Sequence, residues 1–165
     1  MGFAFSMEIG DGLEEVFALY ADAGWAEYLK DVDGLKAGIA ASLLNVVARE
    51  DGHVAGYARV VGDGATIIVV QDLLVRRDCQ GRGLARSLVD LVLGRYPTVR
   101  QRILLCDAGL ETFYEKLGFK PWTVTSPCAT RRKTAKNELK TFPEPALLQA
   151  GAPRGRTPAA HGRLP

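Results

Sequence analysis

The chain has 165 residues, of which 47% are hydrophobic and 24% charged, and a formal net charge of +2. This is ordinary globular usage, sized for one domain, and it excludes wholesale disorder and fibrous repeats. No apolar run approaches the ~18 residues of a bilayer span, and no basic start with a long apolar stretch marks a signal peptide. Cys79, Cys106 and Cys128 form no CxxC pair, and His53 and His161 are the only histidines, so neither a disulfide framework nor a metal centre is expected. A cytoplasmic chain with no metal and no membrane contact is the expectation.

Charge divides unevenly along the chain. Residues 1–130 carry 13 basic and 17 acidic residues, residues 131–165 carry 8 and 2. Six of the eight prolines fall at or after Pro127. A domain over 1–126 and a basic, Pro/Gly/Ala-rich, largely disordered tail over 127–165 follow, with a possible short helix at 134–139. Nucleic acid is not the expected partner, although a basic tail is the kind of segment that touches anionic surfaces.

Phe3, Phe5, Met7 and Ile9 alternate with smaller or polar residues, as in a half-buried first strand. Leu13, Val16, Phe17 and Tyr20 then follow helical spacing, with Glu14 and Glu15 where the helix dipole favours anions, and predict a helix over 12–23. Leu35, Ile39, Leu43 and Leu44 suggest a second helix, diluted by Gly34 and Gly38. Val46–Arg49 and Val54–Val61 flank Asp51-Gly52, the signature of a tight hairpin. After Gly62-Asp63-Gly64, residues Thr66–Val75 are nearly continuous in β-branched and aliphatic side chains and read as a strand buried on both faces. A glycine-containing loop, Gln80–Ala85, opens a helix running to about Leu93. Residues 102–106 form the next strand, 110–117 a helix closed by Gly118, and 119–125 a last strand with Pro121 near its start.

A glycine loop between a buried strand and a helix N-terminus is built to hold an anion, because glycine lets backbone N–H groups approach closely. The string G-x-x-x-x-G-K-[ST] is absent, and G-x-G-x-x-G/A fails at Arg86. Gln80-Gly81-Arg82-Gly83-Leu84-Ala85 instead matches [RQ]-x-x-G-x-[GA], and Phe113-Tyr114-Glu115-Lys116-Leu117-Gly118-Phe119 supplies a second matching segment. With these two strings and the element order from Phe3 to Thr125, the sequence resembles the GNAT superfamily of acyl-CoA-dependent N-acetyltransferases.

That resemblance implies an α/β (α+β) fold, with a mixed, mostly antiparallel sheet flanked by helices and splayed to admit acetyl-CoA. It implies that the backbone N–H groups of Gln80, Gly81, Arg82, Gly83, Leu84 and Ala85 hold the pyrophosphate, with Arg82 or Arg86 near the phosphate oxygens, and that Leu74 and Val75 run beside the pantetheine arm. The N–H of Leu74 would polarise the thioester carbonyl, and Tyr114 would protonate the departing thiolate. Asp72, an acid inside an apolar strand, is a candidate general base, and also a candidate structural group. Asp107 stands where many family members carry an asparagine that contacts the pantetheine. Cys106 reads as a buried core thiol rather than a nucleophile.

The implied reaction is direct attack of a primary amine on acetyl-CoA in a ternary complex. A small-molecule amine is the expected acceptor, with a protein or peptide lysine as the alternative. The eight acids and two lysines of residues 1–40 would suit a cationic acceptor. A non-catalytic acyl-CoA sensor or interaction module is the rival class. Acyl length, and the choice between monomer and homodimer, stay open.

Overall fold

In a computed structural model, residues 2–121 and the backbone of 146–150 are described. β1 (Ala4–Ser6) is followed by α1 (Leu13–Asp22), a 3₁₀ turn at Ala26–Lys30 and α2 (Val32–Ala40). The meander β2 (Leu44–Glu50), β3 (His53–Gly62) and β4 (Ile67–Val75) comes next. A 3₁₀ turn at Arg77–Cys79 leads to α3 (Leu84–Arg95), β5 (Gln101–Cys106), α4 (Glu111–Glu115), β6 (Phe119–Pro121) and β7 (Ala146–Ala150).

The elements combine into one mixed sheet, ordered β1-β2-β3-β4-β5-β7-β6. Every pairing is antiparallel except β4 with β5. The mostly antiparallel α/β architecture is therefore as expected. α3 covers one face, where Leu84, Leu88, Val89 and Val92 pack on Val46, Ala58, Val60 and Ile68. α1 and α2 cover the other, where Val16, Tyr20, Leu35 and Ile39 meet Val47, Tyr57 and Leu74. Gly56 lets α3 close onto β3, since a Cβ there would stand 3.0 Å from Leu84 and 3.1 Å from Leu88.

Local chemistry accounts for most boundaries. Asp51 and Gly52 both take positive φ, 52° and 87°, as a two-residue hairpin turn requires. Asp63 closes the next turn through Oδ1, which accepts from the N–H groups of Ala65, Thr66 and Ile67. The second helix begins earlier than its apolar spacing suggests, because Asp31 Oδ1 caps it by accepting from Gly34 N–H at 2.9 Å. It ends at Ala40, and Leu44 belongs to β2 instead.

Two features of β4 set up the site. Its register against β3 runs Arg59↔Asp72 and then Val60↔Val70, so Gln71 is an extra residue in a β-bulge. The bulge reverses side-chain alternation: Ile68 and Val70 face α3, whereas Asp72 and Leu74 face α1 and α2. β4 pairs with β5 only from Ile67↔Gln101 to Val70↔Leu104. Beyond that point the strands part, and the sheet is splayed as expected.

β7 lies past residue 126, in the stretch read as a tail. It pairs with both β5 and β6, so the sheet draws on residues beyond the anticipated boundary. The helix anticipated at 134–139 and the residues 122–125 of the last strand lie outside the described residues.

Candidate active site

Two cavities open along the splay. The first, about 580 Å³, runs from Leu73 and Val75 past the loop residues Gln80, Gly81 and Gly83 to Arg86, Phe113, Tyr114 and Lys116. The second, about 530 Å³, is walled by Trp25, Glu27 and Tyr28 on one side and by Gln71, Leu105, Cys106 and Asp107 on another. Leu73, Leu110 and Tyr114 line both, so the cavities meet at these residues.

The loop is shaped as the sequence suggests. Gly81 and Gly83 have φ of 72° and 82°, a conformation that side chains with a Cβ resist. The first bond of α3 runs from Ser87 N–H to the Gly83 carbonyl at 3.1 Å, so the N–H groups of Gly83, Leu84, Ala85 and Arg86 have no acceptor within the helix. Those donors and the positive end of a 12-residue helix open on the first cavity, an arrangement suited to an anion. Replacing Gly83 with Val forces a β-branched residue into left-handed backbone, at about 1–3 kcal/mol. Calorimetric titration with coenzyme A is expected to show at least tenfold weaker binding for this variant.

The two arginines divide. Arg86 lines the first cavity and donates from Nη2 to the Lys116 carbonyl at 2.6 Å. The resemblance puts Arg82 or Arg86 near the phosphates; the Arg82 guanidinium pairs with Glu50, at 3.0 Å and 2.5 Å, and lies over the Phe3 ring at 4.8 Å. It ties the loop to β2 and holds the Glu50 carboxyl below its ordinary range. Gln80 Nε2 donates to the Val75 carbonyl at 3.2 Å, bracing the loop against the end of β4.

Backbone alternation corrects the expected oxyanion donor. Arg76 N–H donates to the Ala55 carbonyl on β3 at 2.9 Å. Down the antiparallel ladder, with Leu74 opposite Tyr57, the Leu74 N–H then also points to β3, and those of Leu73 and Val75 point into the splay. Leu74 lines neither cavity and its side chain is core, whereas Leu73 and Val75 line the first cavity. The donor role fits Leu73, one residue earlier.

Asp72 is likewise displaced from the chemistry. Its Oδ2 accepts from the Tyr20 hydroxyl at 2.7 Å and from Arg59 Nε, on the α1/α2 face, and it lines neither cavity. Its Oδ1 is buried without a hydrogen-bond partner among the described residues. Burial, followed by the adjacent Asp72, drives the Tyr20 phenol well above its ordinary range. A carboxylate locked in a buried ion pair and facing away from both cavities is a structural group, and the base role does not fit it.

Tyr114 lines both cavities. It is 7% exposed, stacks edge-on with Phe113 at 4.9 Å, and has its phenol pushed up to about 12, by burial first and then by Cys106 and Asp107. It is a neutral donor throughout the physiological range. Cys106 lines the second cavity, but burial raises its thiol, the reverse of an activated nucleophile. Asp107 lines that cavity as well. Sequence reasoning missed Trp25, Glu27 and Tyr28, which sit on a 3₁₀ turn with no apolar period to flag them, and missed Leu110, Phe113 and Lys116 as cavity walls.

Residues 41–121 match the acetyltransferase (GNAT) domain family, and the chain carries a GNAT acetyltransferase domain. Among solved structures it is similar to a GNAT-family acetyltransferase from Streptococcus pneumoniae, with 27% identity and a TM-score of 0.68 over 80% of this chain and 98% of that one. A GNAT-family N-acetyltransferase from Escherichia coli, in complex with CoA, shares the fold at 24% identity and a TM-score of 0.54, over 72% of this chain and 68% of that one. The ribosomal-protein-S18-alanine N-acetyltransferase from Escherichia coli shares it at 16% identity and a TM-score of 0.66, over 97% and 100%. No curated relative matches the chain by sequence. Among the described residues no helix is long and apolar enough to cross a membrane, and no cluster of three or more ligating side chains could hold a metal ion.

Proposed function

We propose that this protein transfers an acetyl group from acetyl-CoA to a primary amine by direct attack, with both substrates bound at once. The meeting of the two cavities at Leu73, Leu110 and Tyr114 carries the proposal, because a nucleophile entering through the second reaches a thioester laid along the first. The donor set fits acetyl-CoA. Unshared N–H groups at Gly83–Arg86 and the cations Arg86 and Lys116 face the anionic end, and the open edge at Leu73 and Val75 offers a strand-like partner to the amide-bearing arm.

Acetyl-CoA supplies an activated acyl carbon and a thiolate leaving group. Leu73 N–H is aimed at the side where negative charge gathers on the carbonyl oxygen as the amine adds. Tyr114 supplies a proton to the sulfur as the carbon–sulfur bond breaks, and the phenolate regains one through solvent from the nitrogen of the adduct, which sheds a proton as the amide forms. The burial that raises the phenol raises the proton affinity of a thiolate beside it in the same sense, so donor and acceptor stay matched. In this reading the acceptor is a small-molecule amine whose nitrogen enters through the second cavity.

Purified protein given acetyl-CoA and a panel of amines is expected to release free thiol in proportion to acetylated amine. Calorimetric binding of coenzyme A without thiol release, whatever the amine, would make the protein an acyl-CoA sensor instead.

A further inference from the structure

The two cavities carry opposite charge. The first is lined by Arg86 and Lys116 and by no acid, the second by Glu27 and Asp107 and by no lysine or arginine, among the described residues. The second also presents Trp25 and Tyr28, whose ring centroids lie 6.0 Å apart at 35°. Tyr20 packs against both rings, at 6.1 Å and 5.5 Å, and is itself held by Asp72, so the aromatic wall is braced from the core. Glu27 lies between these aromatics in sequence, and its pair with Lys30, at 2.6 Å, joins two exposed side chains and is easily exchanged.

Aromatic faces beside a carboxylate hold a cation. The nitrogen that attacks a thioester has to be neutral, so a positive charge that persists through the reaction must belong to another part of the acceptor. We infer that the acceptor is a diamine-class molecule: a primary amine bearing a second nitrogen that stays protonated through the reaction, which Glu27, Trp25 and Tyr28 hold while the neutral nitrogen points to Leu73 and Tyr114. This rests on the acetyl-transfer reading and specifies its substrate class.

The test is steady-state thiol release with three acceptors of matched length: 1,4-diaminobutane, butylamine, and a four-carbon amino acid with a terminal carboxylate. The diamine is expected to exceed butylamine in kcat/KM by about tenfold, and the carboxylate-bearing amine to be poorest. Glu27→Gln is expected to bring kcat/KM for the diamine close to that for butylamine in the same variant, and Trp25→Leu to act in the same direction without touching a charge. Butylamine or the amino acid equalling the diamine, or a preference unchanged in both variants, overturns the inference and leaves acetyl transfer intact. Coenzyme A binding with no turnover of any acceptor overturns both.

Discussion

Replacing Tyr114 with Phe is expected to lower kcat by about 10²–10⁴-fold while shifting coenzyme A affinity by less than about threefold. The substitution removes one hydroxyl and keeps the ring, so the edge contacts to Phe113 and Phe119, at 4.9 Å and 6.2 Å, survive and the fork between β4 and β5 keeps its shape. What is lost is the proton that meets the sulfur. With the phenol pushed up to about 12, Tyr114 does not titrate near neutrality, and kcat/KM is expected to rise with pH as the acceptor ammonium loses its proton. The variant is therefore expected to keep the wild-type rise at a lower ceiling. Single-turnover rates beside calorimetry separate the two effects, and turnover within twofold of wild type would remove Tyr114 from the chemistry.

Asp72→Ala is expected to destabilise the fold by about 3–5 kcal/mol, the cost of leaving a buried cation without its partner. Arg59 is 8% exposed and Asp72 1%, so water offers little compensation. Denaturant unfolding measures the loss directly, and a midpoint temperature lower by about 10 °C or more should accompany it. Asp72→Asn separates structure from catalysis, since it keeps acceptor oxygen for Tyr20 and Arg59 but cannot serve as a base. Its kcat at a temperature where it stays folded is expected within about tenfold of wild type. A loss of 10²-fold or more, with stability preserved, would return the general-base role to Asp72.

What the sequence made legible is what local chemistry writes into adjacent residues. Asp51-Gly52 has to turn, Gly81 and Gly83 have to bend, and the segment around Tyr114 has to close a helix at Gly118, where φ is 93°. The bulge at Gln71 left no such mark, because Thr66–Val75 is apolar on both faces and has no alternation to break. One inserted residue decided which face Asp72 meets, and the direction of the ladder decided whether Leu73 or Leu74 opens to the cavity. β7 was hidden for another reason. Ala146–Ala150 has no β-branched or aromatic residue and follows Pro143 and Pro145, so only its neighbours β5 and β6 identify it as a strand.

The early end of the β4–β5 ladder at Val70↔Leu104 has a consequence for how such a chain can vary. An amide left over from an unfinished zipper belongs to every amino acid except proline, so the carbonyl-facing half of the machinery is indifferent to which side chain occupies position 73. Substitution can sweep through that strand, repacking the interior as it goes, and the donor remains. On the acetyl-transfer reading proposed above, selection for a particular acceptor then falls on the side chains of the opposite wall, at Trp25, Glu27 and Tyr28.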